Sequence, residues 1–247
     1  MTAEDILIEI DKKKSEFFNQ DYNTRDLLKI ITNLRLDWGY SKDEINPDFD
    51  FGITKPILLK GLSKKGSKLN QNSKVFEYSK SAQQLITSFL IEKIITKELL
   101  TELHSQIVID GGKYRENKVF VDDQTSIIKT EFSNISEIDS NIDSLILWIN
   151  EELKTQEMHP ALIAVIFHYK LVLIHPFSDG NGRLARIIAS LILLSFNFPP
   201  PIITESDRFE YIVSLRNADS GDIKPLLKFV GKRILKSFEI ISSKKLS

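Results

Sequence analysis

The sequence predicts an all-α protein, on three observations. Glycine and proline are scarce, at 10 and 8 of 247 residues. Apolar residues recur at helical spacing over most of the chain. Only one short stretch, Val119-Phe120-Val121, has the β-branched and aromatic content of a strand.

Each element has its own reason. Thr2 and Asp5 have the spacing of a capping box, and Ile6, Ile10 and Phe17 suit one face of a first short helix. A second helix is expected from about Asn23 to Trp38, with Leu27, Leu28, Ile31 and Leu34 as its stripe. From Gly39 to Ser73 the chain is rich in turn formers, around one apolar run, ILLKGL. That change of composition divides the chain into an N-terminal helical extension, 1–72, and a core, 73–247. Helical spacing returns over Ser79 to Val108 as one segment, until Gly111-Gly112 leads into the short strand, read as a hairpin. Ile138 to Leu153 is an amphipathic helix. Pro160 to Ile174 is apolar almost all round, so it is the buried central helix. Another apolar helix runs from about Gly182 to Phe196, where NFPPPI ends it because proline cannot continue it. Phe209 to Asn217 and Ile223 to Phe238 form the last helical pair.

Composition excludes several function classes. Lys+Arg 33 against Asp+Glu 34 leaves a formal charge of −1, which argues against holding nucleic acid by phosphate neutralisation. There is no apolar run of the roughly 18 residues a membrane span needs, and the acidic, amphipathic N-terminus is not a secretory signal. A cytoplasmic location is therefore expected. With no cysteine there is no disulfide, thiolate metal site or cysteine nucleophile. Any imidazole chemistry falls to His104, His159, His168 or His175.

The informative stretch is HPFSDGNGRLAR, His175 to Arg186, placed between the buried helix and the next. Gly180, Asn181 and Gly182 tolerate positive φ, so successive N–H groups can face one concavity. That concavity lies at a helix N-terminus, where unpaired amides and the macrodipole favour an anion. Arg183 and Arg186, three apart, reach the same side of the first turn. Asp179 is a hard oxygen ligand suited to Mg²⁺ bridging phosphates. His175 has the pKa range to take a proton from a hydroxyl. The bland reading is a polar interhelical loop whose arginines pair with surface carboxylates. The convergence of base, metal ligand, anion hole and two arginines within twelve residues favours a polyphosphate site instead. His168, two turns before His175, reads as a hydrogen-bonded structural histidine, Phe177 as a plug beneath the loop, and Lys64, Lys65 and Lys68 as a solvated cluster. His104 and His159 are given no catalytic role.

At these residues the chain resembles the Fic (Fido) family, whose motif H-P-F-x-D/E-G-N-G-R-x-x-R is matched at every defined position. MHPALIAVIFHYKLVLIHPF looks like that family's central helix, and FPPPIITESDRFEYIVSLRNADSGDIKPLLKFV like its closing segments. GGKYRENKVFV resembles its G-x-x-R turn and flap hairpin. The resemblance implies a helical core with a β-hairpin flap and an N-terminal helical extension. It further implies transfer of AMP from ATP to a Ser, Thr or Tyr hydroxyl of a target protein, with release of pyrophosphate. His175 would then deprotonate the hydroxyl, and Asp179 would hold Mg²⁺ between the α- and β-phosphates. Gly180, Asn181 and Gly182 would stabilise the phosphate oxygens, with the Asn181 side chain donating to the α-phosphate. Arg183 would clamp the β-phosphate and Arg186 the γ-phosphate. The flap, Lys118, Val119, Phe120, Val121 and Asp122, would align the target by strand addition. Tyr211 and Asp219 stand where relatives hold adenine.

Two departures from the family pattern qualify this reading. LRLDWGYSKDEINPD is loosely similar to an inhibitory phrase whose glutamate pairs with the last arginine of the motif, but Asn46 stands at the glutamate position. Asparagine cannot form that charged pair, so a weakened lock is expected, with Glu44 and Glu77 as substitute candidates. Asp219 replaces a common asparagine, which leaves UTP, GTP or CTP as alternatives to ATP. Transfer of another group such as UMP, or a non-catalytic nucleotide-binding adaptor, are the competing functions. Pairing through helical faces into a homodimer is one option for the assembly.

Overall fold

A computed structural model describes residues 1–18, 80–108, 110–119, 132–203 and 205–243. The expected helix at 23–38, the turn-rich segment with its division near 72, and Asn46, Glu44 and Glu77 lie outside them. The described residues form eight α-helices: α1 Ala3–Phe18, α2 Lys80–Glu92, α3 Lys97–Ile107, α4 Ile138–Thr155, α5 Pro160–Ile174, α6 Asn181–Ser195, α7 Arg208–Asp219 and α8 Lys224–Ser243. One-turn 3₁₀ helices, Ile135–Glu137 and Glu205–Asp207, lead into α4 and α7. No strand occurs among the described residues. Of the expected flap, Lys118 and Val119 lie within them, and neither is in a strand.

The α1 start is a reciprocal capping box: Asp5 N–H donates to Thr2 Oγ1 at 3.0 Å and Thr2 N–H to Asp5 Oδ2 at 2.6 Å. Its buried residues Ile6, Ile10 and Phe17 face α8. A Cβ on Gly231 would stand 2.6 Å from Ile6 Cγ1, so glycine permits this close approach.

The segment 79–108, expected as one helix, is two. Lys93 takes φ 56°, and Thr96 restarts the helix as N-cap, its hydroxyl accepting from Leu99 N at 3.1 Å. The cause of the break lies 55 residues away. Asn150 of α4 accepts from Ile95 N at 2.8 Å and donates to Ile95 O at 2.9 Å, satisfying the backbone that leaves the helix.

The centre is the pair α5 and α6, which pack on each other more extensively than any other two described helices. Pro160 at the first turn and the His159 ring, whose Nδ1 accepts from Ala161 N at 3.0 Å, start α5. No residue of α5 is exposed, and α3, α4 and α8 cover the pair. α6 ends before the prolines rather than at them. Asn197 adopts φ 63°, and Phe198 N–H reaches back to Leu193 O at 2.9 Å, a Schellman-type stop. Within this frame the only connection between the two buried central helices is the loop 175–180.

Candidate functional site

His175 is the C-cap of α5, in the left-handed region at φ 50°, ψ 57°, with its N–H on Leu171 O at 3.1 Å. A non-glycine residue held there costs about 1 kcal/mol or more, and the surroundings enforce it. Its Nδ1 is 3.2 Å from Val172 O. A carbonyl only accepts, so the proton sits on Nδ1 and Nε2 carries the lone pair. The Phe132 ring stacks on the imidazole at 3.9 Å. Burial, with the Arg115 charge adding to it, pushes His175 down to about 4. The imidazole is therefore neutral, as a base must be.

Beyond it, Gly180 is the N-cap of α6 at φ 78°. A glycine has no side chain to bond the first-turn amides, so the N–H groups of Asn181, Gly182 and Arg183 begin the helix without a side-chain cap. A Cβ at Gly180 would also stand 2.5 Å from Val108 Cγ2. Asp179, with its side chain 69% exposed, sits at the mouth of this concavity. Its Oδ2 accepts from Arg183 Nη2 at 2.8 Å and its Oδ1 from Gly180 N at 2.6 Å. Arg183 also donates through Nη1 to Ile107 O at 3.1 Å. Arg186 lies along the same turn, its Nη1 close over Gly182.

Asn181 ties the loop to itself. Its side-chain oxygen accepts from Phe177 N at 3.0 Å and its Nδ2 donates to Phe177 O at 2.8 Å, and the residue is only 2% exposed. The Oδ1 and one of the two Nδ2 protons thus close the loop on itself. Tyr211 is buried, with its hydroxyl 2.9 Å from His168 Nε2. His168 is the structural histidine expected. Asp219, at the end of α7, accepts from Tyr169 OH on α5 at 3.2 Å. Burial and that carboxylate push Tyr169 up to about 12.

Two further residues shape the loop. Arg115, 4% exposed, donates through Nε to His175 O at 2.7 Å, through Nη1 to Asn117 O at 3.1 Å and through Nη2 to Ser133 O at 2.5 Å. Its own N–H bonds Pro176 O at 2.8 Å. The only sequence signal for it was the likeness to a G-x-x-R turn. His104 donates from Nε2 to Asp179 O at 2.8 Å, accepts on Nδ1 from Gly112 N at 2.8 Å, and stacks on Phe177 at 3.7 Å. The residue it holds, Asp179, is 75 residues away in sequence.

Arg115→Lys keeps the charge but replaces a planar fork by a point donor, which cannot serve three carbonyls. The expected loss is about 1–3 kcal/mol in urea unfolding. An unchanged midpoint would show that the fork is dispensable.

All four histidines are held below the ordinary imidazole range, chiefly by burial: His168 at about 3, His175 at about 4, His104 and His159 also lowered. Unfolded, they would titrate near 6.5. Between that pH and their folded values the unfolded chain binds more protons, so stability falls as pH drops from about 6.5. Thermal unfolding should weaken already between about pH 6.5 and 5, before carboxylates titrate. A flat midpoint across that window would contradict these environments.

The Fic/DOC family profile matches residues 94–193, which include the whole loop. A protein adenylyltransferase Fic of Nematostella vectensis is 28% identical over 237 residues, 93% of this chain and 54% of that protein. Protein adenylyltransferase fic-1 of Caenorhabditis briggsae is 32% identical over 188 residues, 73% and 36% of the two chains. Among solved structures, Fic-1 (residues 134–508) from C. elegans superposes with a TM-score of 0.67 at 25% identity, over 99% of this chain and 73% of that one. A Fic domain-containing protein from Bacteroides thetaiotaomicron gives the same TM-score at 21% identity, covering 97% and 98%. The fold and the loop define a Fic-type helical domain. Residues 94–193 carry a Fic/DOC family domain. The chain spans about half or less of the length of these curated relatives.

Proposed function

We propose that the chain transfers AMP from ATP to a Ser, Thr or Tyr hydroxyl of a target protein. The observation that carries this reading is the neutral His175 imidazole, its proton fixed on Nδ1 by Val172 O, beside a glycine-capped helix N-terminus flanked by Arg183 and Arg186. The names of the curated relatives, protein adenylyltransferases, support it.

In this reading the triphosphate lies on the first-turn amides of α6, with Arg183 on the β- and Arg186 on the γ-phosphate. The target hydroxyl passes its proton to His175 Nε2 as its oxygen bonds the α-phosphorus. The bond from that phosphorus to the α–β bridging oxygen breaks, and pyrophosphate leaves. Positioning and charge neutralisation around a loose transition state supply most of the acceleration. Fixed backbone dipoles at α6 do both without reorganising.

Mg²⁺ fits this site as an ion shared with the nucleotide. Asp179 is an exposed hard-oxygen ligand, and no group of three or more potential metal ligands occurs among the described residues. Mg²⁺ commonly takes one or two carboxylates plus substrate phosphates rather than a protein cage. Bound there, it would neutralise phosphate charge. Asp219 supplies an acceptor for the base, and a segment from Lys118 to Asp123 would align the target by main-chain pairing. No described helix is long and apolar enough to cross a membrane, and we place the enzyme in the cytoplasm.

The test is incubation with Mg²⁺ and α-labelled ATP, alone and with a cell lysate. Label on protein that unlabelled ATP competes away, and UTP does not, is expected. Nucleotide binding without label on any protein would favour the adaptor, and label from γ-labelled but not α-labelled ATP would replace adenylyl by phosphoryl transfer.

A further inference from the structure

The candidate phosphate site contains an anion of its own. The Asp179 carboxylate accepts from Arg183 Nη2 at 2.8 Å through Oδ2 and from Gly180 N–H at 2.6 Å through Oδ1. Both donors stand at the N-terminus of α6, where a phosphate would meet them. Carboxylate and phosphate oxygens are anionic acceptors of the same kind, so the two compete for these donors. A free triphosphate also meets the Asp179 charge directly, and like charges at this range repel.

The two sides of the ion pair are held unequally. Arg183 has a second anchor, since its Nη1 donates at 3.1 Å to Ile107 O, the last carbonyl of α3. A cation is favoured at that end of a helix. The Arg183 side chain is 16% exposed against 69% for Asp179. The Asp179 main chain is fixed too, its O accepting from His104 Nε2 at 2.8 Å, but its carboxylate can rotate into solvent. The carboxylate is therefore the part that leaves, and Arg183 stays aimed at the place it vacates. Exposed ion pairs are weak, so this one delays an incoming anion without barring it.

We propose that the Asp179 carboxylate is the resting occupant of the anion site, which holds back the free nucleotide and yields to the nucleotide bound with a divalent cation. With Mg²⁺ shared between it and the phosphates, Asp179 changes from competitor to ligand. Its departure frees Arg183 Nη2 and Gly180 N–H for phosphate oxygens. Cation and nucleotide binding are thereby coupled through one ion pair. The inference rests on the adenylyltransferase reading, because it requires a triphosphate on α6.

The test is calorimetric binding of α,β-methylene ATP, whose α–β bridge the enzyme cannot break, in Mg²⁺ and in EDTA. The proteins are wild type, Asp179→Ala, Arg183→Ala and the double variant. Wild type should bind the Mg²⁺ complex more tightly than the free nucleotide. Asp179→Ala should bind the free nucleotide about fivefold more tightly than wild type does, and lose most of the gain from Mg²⁺. On top of Arg183→Ala, the same substitution should change free-nucleotide affinity by less than about twofold. A free-nucleotide affinity unchanged by Asp179→Ala would overturn the proposal. So would a gain of equal size in the Arg183→Ala background, which would reduce the effect to charge repulsion without the pair. Asp179→Asn, neutral and of the same shape, decides the same question should Asp179→Ala not fold. A wild type that binds the Mg²⁺ complex, with no free-nucleotide gain in any variant, removes the resting occupant and leaves the adenylyltransferase reading standing. Wild type and variants that bind nucleotide in neither condition remove both.

Discussion

His175→Ala is expected to lower AMP transfer by roughly 10²–10⁴-fold, the contribution of a positioned general base, with ATP binding retained. That range corresponds to about 2.7–5.5 kcal/mol of barrier. The geometry argues for the separation of effects. His175 opens the loop and is not in the first turn of α6, so the amides and arginines that would meet phosphate are untouched. What disappears is the lone pair on Nε2. Removing it also removes the residue that holds φ at 50°, and alanine in that region costs about 1 kcal/mol or more. His175→Asn tolerates the backbone better and should lose as much activity, which separates chemistry from conformation. The pH profile offers a second check. With the free imidazole at about 4, kcat/KM should stay level down to about pH 5 rather than fall near 6.5. An alanine variant within tenfold of wild type would transfer the base to another group and undo the reading of the site.

How far the sequence was legible depends on where the causes of each feature lie. The helix Pro160–Ile174 was readable to the residue because its signals are local: proline at its first position and apolar residues on every face. The start of the first helix was also legible, since Thr2 and Asp5 bond each other across three residues. The break at Lys93 was not, because Asn150 causes it from another helix. The same rule holds in the site. His175, Asp179, Gly180, Gly182, Arg183 and Arg186 share one loop and its first turn, so spacing alone assembled them. His104 and Arg115 reach that loop from elsewhere in the chain, and their tasks are visible only as contacts. Asn181 adds a contact that spacing does not show: its amide closes a ring with the Phe177 backbone.

Phe177→Ala should cost about 3–5 kcal/mol of stability, the range for a fully buried phenylalanine. The ring is 1% exposed. It lies flat against His104 at 3.7 Å and inclined to Tyr114 at 5.4 Å, so it is packed by two elements that precede the loop in sequence. Its main chain is pinned as firmly, both N–H and C=O bonding the Asn181 amide. Side chain and backbone therefore anchor the loop from below on two independent sets of contacts. Truncation removes the first and leaves His104 without the ring it stacks on. Because His104 holds Asp179 O and Gly112 N, the damage should extend to the mouth of the anion hole. Activity in the folded fraction should then fall more than for a core truncation of similar cost away from the site, such as Phe238→Ala beside α1. Phe177→Leu, which keeps most of the volume, should recover the greater part of both losses. Urea unfolding and transfer assays on the three variants measure this directly. If Phe177→Ala and Phe238→Ala lose stability alike and neither loses activity per folded molecule, the loop does not depend on its plug, and its hydrogen bonds to Asn181, Arg115 and His104 hold it in shape.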